Sequence, residues 1–190
     1  LEVGAKAFLG AGTRLDLALF EVRTKDELVV ASNTGGRASY QNAGSTLRRG
    51  IELALDSVWS GGFTSRLAYT GLRATYEDSF RECQVTGCTP AAAVTVAAGS
   101  KLPGIPRSSL YGELAWRHAP SGFHTAIEWV ARDKVYVEDT NTQKAAPGFA
   151  IANLRLGIEG RSGPWALRGF LRVDNLFDRH YVGSVVVGDS

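Results

Sequence analysis

The apolar residues of this chain recur at every second position over eight separate segments. In the first segment Leu1, Val3 and Leu9 stand at odd-numbered positions, and in the seventh Leu154 and Leu156 stand at even-numbered positions. A strand points successive side chains to opposite faces, so this period predicts β-strands and disfavours helices. The eight segments cover residues 1–9, 14–20, 51–56, 63–71, 110–117, 127–132, 152–159 and 167–174. The pattern therefore predicts an all-β chain.

The second face of these segments is ionic. Its charged positions are Glu2, Lys6, Asp16, Glu52, Asp56, Arg66, Glu113, Arg117, Glu128, Arg132, Arg155, Glu159, Arg168, Arg172 and Asp174. A sheet with one apolar and one polar face is typical of a transmembrane β-barrel wall, which meets lipid outside and encloses a polar lumen. The same pattern also fits a soluble sheet whose apolar face is a protein core and whose charges are solvated.

The connections between segments alternate in length. Short turns rich in glycine fall at 10–13, 59–62, 119–122 and 160–164, and long polar links fall at 24–40, 77–106 and 133–148. This rhythm favours an antiparallel up-and-down transmembrane barrel, which has short periplasmic turns and long extracellular loops. Aromatic residues beside the short turns fit an interfacial girdle; they are Trp59, Phe63, Phe123 and Trp165.

Composition changes this picture little. The chain has 190 residues, 44% of them hydrophobic, and a mean hydropathy of -0.07. The net charge of +2 arises from scattered charges of both signs, so no nucleic-acid surface is expected. No apolar stretch approaches the ~18 residues that a membrane helix needs. The chain contains no Met and no signal-peptide pattern at its start, which predicts a processed form or an excerpt.

Cys83 and Cys88 stand in a polar link with four residues between them. A disulfide closing a small loop is expected, and it indicates an oxidising compartment outside the cytoplasm. A zinc site would need further ligands, which the surrounding sequence does not supply. The three histidines, His118, His124 and His180, form no catalytic grouping. We therefore expect no bound metal, no cofactor and no enzymatic activity.

Four segments resemble the β-barrel of TonB-dependent receptors. The closing segment 167–185 carries the N-L-F-D signature followed by an aromatic residue, with Asn175, Leu176, Phe177, Asp178 and Tyr181 as the matching positions. Segment 40–55 resembles the N-A-G strand of the family through Asn42, Ala43, Gly44, Gly50, Ile51 and Glu52. Segment 102–114 resembles its P-G-x-P-R strand entry through Pro103, Gly104, Pro106, Arg107 and Leu110. Segment 146–157 resembles its A-P-G-aromatic strand opening.

The resemblance implies a 22-stranded barrel occluded by an N-terminal plug, and residues 1–190 are expected to form part of that barrel domain. Aligned in this way, the eight strands are the fourteenth to the twenty-first, and the final VVVGDS segment lies in the loop before the last strand. The plug and the TonB box of the family have no counterpart here. The implied function is TonB-coupled uptake of a scarce nutrient, with a ferric siderophore as the ligand class. The implied location is the bacterial outer membrane, with TonB, lipid and lipopolysaccharide as partners.

Candidate ligand contacts are the basic and aromatic residues of the long links, because cations attract an anionic ferric chelate. They are Arg37, Tyr40, Arg81, Lys101, Lys134 and Tyr136. The alternative for these cations is solvation or contact with lipopolysaccharide phosphates.

Two other protein classes remain open from the sequence. A small non-transporting barrel would pair its first and eighth strands. A soluble β-sandwich binding module would bury Leu15, Leu154, Leu156 and Leu171 between two sheets.

Overall fold

The alternating segments fold as antiparallel strands in a computed structural model that describes residues 1–34, 37–83, 88, 91–142 and 145–185. Eight of the strands form one continuous sheet, which we call the wall: β1 (Glu2–Leu9), β2 (Thr13–Thr24), β5 (Thr46–Val58), β6 (Phe63–Tyr76), β9 (Ser108–His118), β10 (Phe123–Arg132), β11 (Phe149–Ser162) and β12 (Trp165–Val173). Two hairpins complete the described architecture: β3 (Leu28–Thr34) with β4 (Arg37–Asn42), and β7 (Phe80–Glu82) with β8 (Val94–Val96).

Each wall strand pairs with its neighbour along the chain, hairpins aside, so the wall is an up-and-down meander. This confirms the predicted fold class and all eight predicted strands. Within the described residues β1 and β12 each have one neighbour, and the barrel is not closed. The prediction of a small barrel closed by its first and eighth strands is therefore wrong for this chain.

The β-sandwich alternative is also wrong, because no second sheet packs on the apolar face among the residues that the structure describes. Leu15, Leu154 and Leu156 are only half-buried, and Leu171 is 57% exposed. The apolar face is thus not a protein core. The described residues contain no helix long and apolar enough to cross a membrane.

The strand register preserves the two faces across the whole wall. Asp56 lies opposite Arg66, and Arg66 lies opposite Glu113 on the next strand. One residue away, Leu55 lies opposite Leu67 on the apolar face. Because the side-chain period is two, a register slip by one residue would carry charged side chains to the apolar face. We call the two sides of the wall the polar face and the apolar face.

The long links carry the two hairpins, which the alternation does not predict. We call the described residues of links 25–45, 77–107 and 133–148 the loop cap. A small core lies beneath it, formed by buried side chains with Phe80 and Ile105 packed against them; the buried members are Val29, Ala43, Ala74, Tyr76, Val96 and Leu102. Residues 186–190, which include most of the predicted VVVGDS loop, lie outside the described residues.

Candidate functional site

Ion pairs join neighbouring strands across the polar face. The guanidinium of Arg155 on β11 contacts Glu113 on β9 and lies 3.0 Å from the carboxylate of Glu128 on β10. Arg172 on β12 lies 3.2 Å from the other oxygen of Glu128. Glu128 is 8% exposed, and the two guanidinium groups supply it with the charged partners that a covered carboxylate needs. Four consecutive strands are therefore linked by one charge network.

A second group of pairs continues the network toward the short turns. Glu159 accepts from Arg117 at 3.0 Å and lies 2.9 Å from Arg168. Asp56 and Arg66 pair across β5 and β6 at 2.6 Å. Other predicted charges share this face without an ion pair within 4.0 Å in the described part of the chain; they are Glu2, Lys6, Glu52 and Arg132. The face is thus largely compensated in charge, with a few exposed ions.

The predicted ligand contacts separate into two groups in space. Arg37 and Tyr40 lie on β4, and both are exposed, Tyr40 by 65%. Arg81 lies on β7, and its guanidinium donates to the carbonyl of Ala93 at 2.8 Å, which fastens its own hairpin. The side chain of Gln41 donates to the carbonyl of Arg81 and so joins the two hairpins.

The second group surrounds one aromatic ring. The Lys101 ammonium lies 5.1 Å from the centre of the Tyr136 ring, and the Lys134 ammonium lies 5.6 Å from it. All three residues line a concavity of about 1130 Å³, and Ile51 and Tyr69 line it as well. Those two belong to the apolar face, so this group opens toward the apolar side of the sheet.

The sequence reasoning missed two arginines that line the same concavity. Arg49 on β5 and Arg73 on β6 are exposed and lie directly opposite each other. They have the parity of Ile51 and Tyr69, which places them on the apolar face. Each arginine stands at a position that alternation assigns to the apolar face, close to the strand end that adjoins a long link. That pattern could have identified both residues from the sequence.

The two cysteines are joined as predicted. A disulfide links Cys83 to Cys88 beside β7. The described residues contain no group of three or more His, Cys, Asp and Glu side chains able to hold a metal ion.

One carboxylate fastens the loop cap to the wall. Glu27 precedes β3 and accepts from the Arg48 guanidinium at 2.9 Å and from the Thr46 hydroxyl at 2.8 Å. The hydrogen bond from Arg48 holds the pKa of Glu27 below its usual range, with the Thr46 hydroxyl adding to this effect against the cost of burial. The link therefore depends on an ionised Glu27.

A family model described as the TonB dependent receptor-like β-barrel matches residues 1–176. The chain belongs to this family. TonB-dependent receptors are receptors and transporters, not enzymes, and the family is known in the bacterial outer membrane. This membership confirms the resemblance that the four sequence segments carry.

Solved structures of TonB-dependent receptors share the fold. The ferric preacinetobactin receptor BauA of Acinetobacter baumannii matches 95% of this chain at 16% identity, with a TM-score of 0.70. The ferric-catecholate import receptor Fiu of Escherichia coli K12 matches 98% at 20% identity, with a TM-score of 0.69. The copper transporter OprC matches 95% at 14% identity, with a TM-score of 0.67. The chain spans about a quarter of each, respectively 25%, 24% and 25% of their lengths.

The family's closing signature forms a tight structural turn here. Asn175 and Asp178 adopt positive φ angles of 51° and 48°, a conformation that asparagine and aspartate tolerate better than most residues. The Asn175 side chain accepts from the Arg179 amide and donates to the Arg179 carbonyl, each at 3.0 Å. The Tyr181 ring packs on Phe149 with centroids 4.6 Å apart. The matched positions therefore hold the chain beyond β12 against β11.

The family's N-A-G segment carries two glycines for steric reasons. Gly44 has a φ of 78°, and a Cβ there would lie 2.5 Å from the carboxylate of Asp78. At Gly50 a Cβ would lie 2.4 Å from the Gly71 carbonyl oxygen and 2.9 Å from the Phe20 ring. Asn42 donates from its side chain to Asp26 at 3.3 Å. These positions fit tight packing at the junction of wall and loop cap.

The P-G-x-P-R segment leads into β9 as the resemblance implies. Gly104 has a φ of 73°, and its amide donates to the Tyr136 carbonyl at 2.9 Å. Pro103 and Pro106 are half-buried on either side of this bond, and β9 begins two residues after Pro106. The motif thus joins two long links of the receptor at the base of the loop cap.

Proposed function

We propose that this chain is part of the wall and extracellular loops of an outer-membrane receptor that takes up a ferric siderophore in a TonB-coupled manner. The observation that carries the proposal is the two-faced eight-stranded wall, apolar on one side and ion-paired on the other, in a chain of this family. The plug and the TonB contact belong to parts of such a receptor that these residues do not resemble.

The exposed apolar face supports placement in the outer membrane. Large side chains on it remain exposed, such as Leu167 at 61% and Ile158 at 55%. An apolar surface of this extent is unfavourable in water and favourable against lipid chains. With the short turns on the periplasmic side, the loop cap faces the cell exterior, where it meets the nutrient first.

The polar face supports transport without covalent chemistry. Paired charges such as Arg155 with Glu128 present a hydrated, charge-compensated surface to the lumen. A plug moving along such a surface exchanges hydrogen bonds without leaving a charge buried and alone. The proposed role is therefore that of a conduit and receptor.

A ferric siderophore is the proposed nutrient because the loop cap offers exposed cationic and aromatic side chains. Arg37 and Tyr40 are the two predicted contacts whose side chains are exposed on β4. A guanidinium attracts an anionic chelate, and a tyrosine ring supplies a flat contact surface. BauA and Fiu are named for ferric ligands and OprC for copper, so the test must separate iron from copper.

The transport proposal is tested by growth of a deletion strain under iron limitation. Purified ferric siderophores, free iron, haem and copper are supplied one at a time. Loss of growth on at least one ferric siderophore, restored by the intact gene, is expected. Unchanged growth on every ferric siderophore, with a defect confined to copper or haem, would contradict the proposed ligand.

The contact residues are tested in the intact receptor by ligand titration at low salt. The R37A/Y40A variant is expected to weaken binding of the ferric siderophore by about tenfold. The matched control is K6A/Y69A, which removes the same kinds of side chain from the wall. Equal affinity in R37A/Y40A and wild type would refute the assignment of these two residues. Arg81 is less suited to this test, because its loss also releases the hairpin.

A further inference from the structure

The apolar face bears a pair of like charges that form no ion pair among the described residues. Arg49 and Arg73 lie directly opposite each other on β5 and β6. Like charges opposite each other on adjacent strands destabilise a sheet. Neither side chain makes an ion pair within 4.0 Å among the described residues. An anion from outside the chain would relieve this repulsion.

The two acidic residues that line the concavity, Glu21 and Asp133, make other contacts. Glu21 lies opposite Arg49 on β2, but its carboxylate accepts from Arg23 at 3.2 Å. Asp133 accepts from the backbone amide of Lys134 at 2.8 Å. The lining of the concavity thus contains two acidic residues and five basic ones; the basic ones are Arg49, Arg73, Lys101, Arg107 and Lys134. The concavity carries an excess of positive charge.

The position of the two arginines along β5 and β6 places them at one border of the apolar band, the part of the apolar face that would span the membrane. Arg49 precedes Trp59 by ten residues, and Arg73 follows Phe63 by ten, with both aromatic residues beside the same short turn. Ten residues of strand span about 33 Å. At the tilt of about 40° usual for such barrels, this corresponds to about 25 Å across the membrane, the height of the apolar band. If the aromatic turn lies at the periplasmic border, the arginines lie at the outer border.

The concavity combines this charge with an apolar floor. Leu19, Ile51 and Tyr69 line it together with the arginines. The Tyr69 hydroxyl lies against Gly71, where a Cβ would be 3.0 Å from it, so the ring lies along the sheet surface. Lys101 and Lys134 stand on the loop-cap side, around the Tyr136 ring. An occupant would therefore need a phosphate-like head and a hydrocarbon body.

We infer that this concavity binds the phosphorylated headgroup of lipopolysaccharide in the outer leaflet. The phosphates of its lipid A part lie between the arginine pair and the lysines, and its acyl chains run along Leu19 and Ile51. The inference rests on outer-membrane placement, but not on which nutrient the receptor carries. It also gives Lys101, Lys134 and Tyr136 a role at the lipid side in place of the lumen.

The ligand side of the inference is tested with the intact wild-type receptor in detergent. Native mass spectrometry measures binding of bisphosphorylated lipid A, lipid A with both phosphates removed, and inorganic phosphate alone. Bisphosphorylated lipid A is expected to bind at least about tenfold tighter than the dephosphorylated form. Equal binding of the two lipids, or binding of inorganic phosphate with no binding of lipid A, would overturn the proposal.

The protein side is tested by removing the two charges. R49Q/R73Q is expected to weaken binding of bisphosphorylated lipid A by about 25-fold, whereas R49K/R73K retains most of the affinity. The matched control is K6Q/R132Q, which removes the same net charge from the polar face and should change the affinity less than twofold. Equal weakening in both glutamine variants would overturn the site. Should R49Q/R73Q not fold, the wild-type comparison of the two lipids still decides.

The result is separable from the proposed transport function. Siderophore titration of R49Q/R73Q reports on the nutrient site, which the inference places elsewhere. Unchanged siderophore affinity with lost lipid A binding supports the inference.

Discussion

The wall and the loop cap bury their apolar side chains in opposite ways. In the loop cap Val96 is 0% exposed and Ala43 1%, as in the core of a water-soluble protein. In the wall Leu171 is 57% exposed, although its strand is regular and fully paired with β11. The wall is thus held together by backbone pairing and ion pairs, and the loop cap by a small core that it shares with the end of β6.

The difference shows what each region requires of its surroundings. The loop cap finds its apolar partners within the chain, so water suffices as its solvent. The wall has an apolar face that the described residues leave uncovered, and in the proposed outer-membrane setting lipid supplies the missing contacts. Substitutions should therefore act by cavity formation in the cap and by lipid exposure in the wall.

The largest expected effect is the loss of the Tyr76 ring, which lies at the end of β6 in the core beneath the loop cap. Tyr76 packs edge-on against Phe80 at 4.8 Å between ring centroids, and its hydroxyl donates to Asp139. Y76A should destabilise the loop cap by about 3–5 kcal/mol through the cavity left behind. Hydrogen exchange of the Gly99 amide, which donates to the Tyr76 carbonyl, would measure this. Y76F, which keeps the ring, is the control and should retain most of the protection.

A loss of protection that extended equally into β2 or β11 would contradict the separation of cap and wall. In that case the core beneath the loop cap would not be stable independently of the rest of the wall.

A charge on the apolar face should act through lipid instead. Leu53 and Glu52 are neighbours on β5 and lie on opposite faces of the wall. L53R should destabilise the intact barrel in lipid by about 2–4 kcal/mol, because it places a guanidinium among acyl chains. E52R is the matched control, since it points the same group to the polar face, and should cost less than about 1 kcal/mol. Unfolding by denaturant in liposomes measures both, and equal effects would mean that the two faces are not distinguished by lipid.

The smallest effect concerns the join between the two regions. Glu27, at the base of the cap, is half-buried against Arg48 and Thr46 of the wall. Because its pKa is lowered in the folded protein, its stabilisation is complete above the unfolded value near 4.5 and is lost as pH falls through the lowered folded value. E27Q should therefore destabilise the receptor by about 1 kcal/mol or less at pH 7.

The difference between wild type and E27Q should shrink as pH falls below about 4.5. Comparison with R48Q and with the double variant isolates the pair. A difference that stayed constant down to pH 3 would show that ionisation of Glu27 is not the cause.

The sequence predicted the wall well because alternation is a local signal. Leu154 and Leu156 alternate with Arg155 whatever lies on the next strand, and the short turns mark where strands end. The hairpins were not predicted, since β3 breaks its own period with a register shift between Val30 and Ser32. Pairing of that kind depends on the partner strand and cannot be read from one segment.

The candidate site was predicted only in part for the same reason. Lys101, Lys134 and Tyr136 were named as loop residues, yet their convergence on the apolar side depends on how two long links fold together. Arg49 and Arg73 have local parity that reveals their face, but their direct opposition requires the register of β5 with β6.

The most direct test of the two-faced wall is an accessibility scan along β5 of the intact receptor in liposomes. Single spin labels are placed from position 51 to position 56, and collisions with oxygen and with a water-soluble nickel complex are measured. The wall described here predicts strict alternation, with labels at Ile51, Leu53 and Leu55 exposed to lipid and labels at Glu52, Ala54 and Asp56 exposed to water. Water exposure at all six positions, or burial of the leucine positions from both reagents, would contradict it.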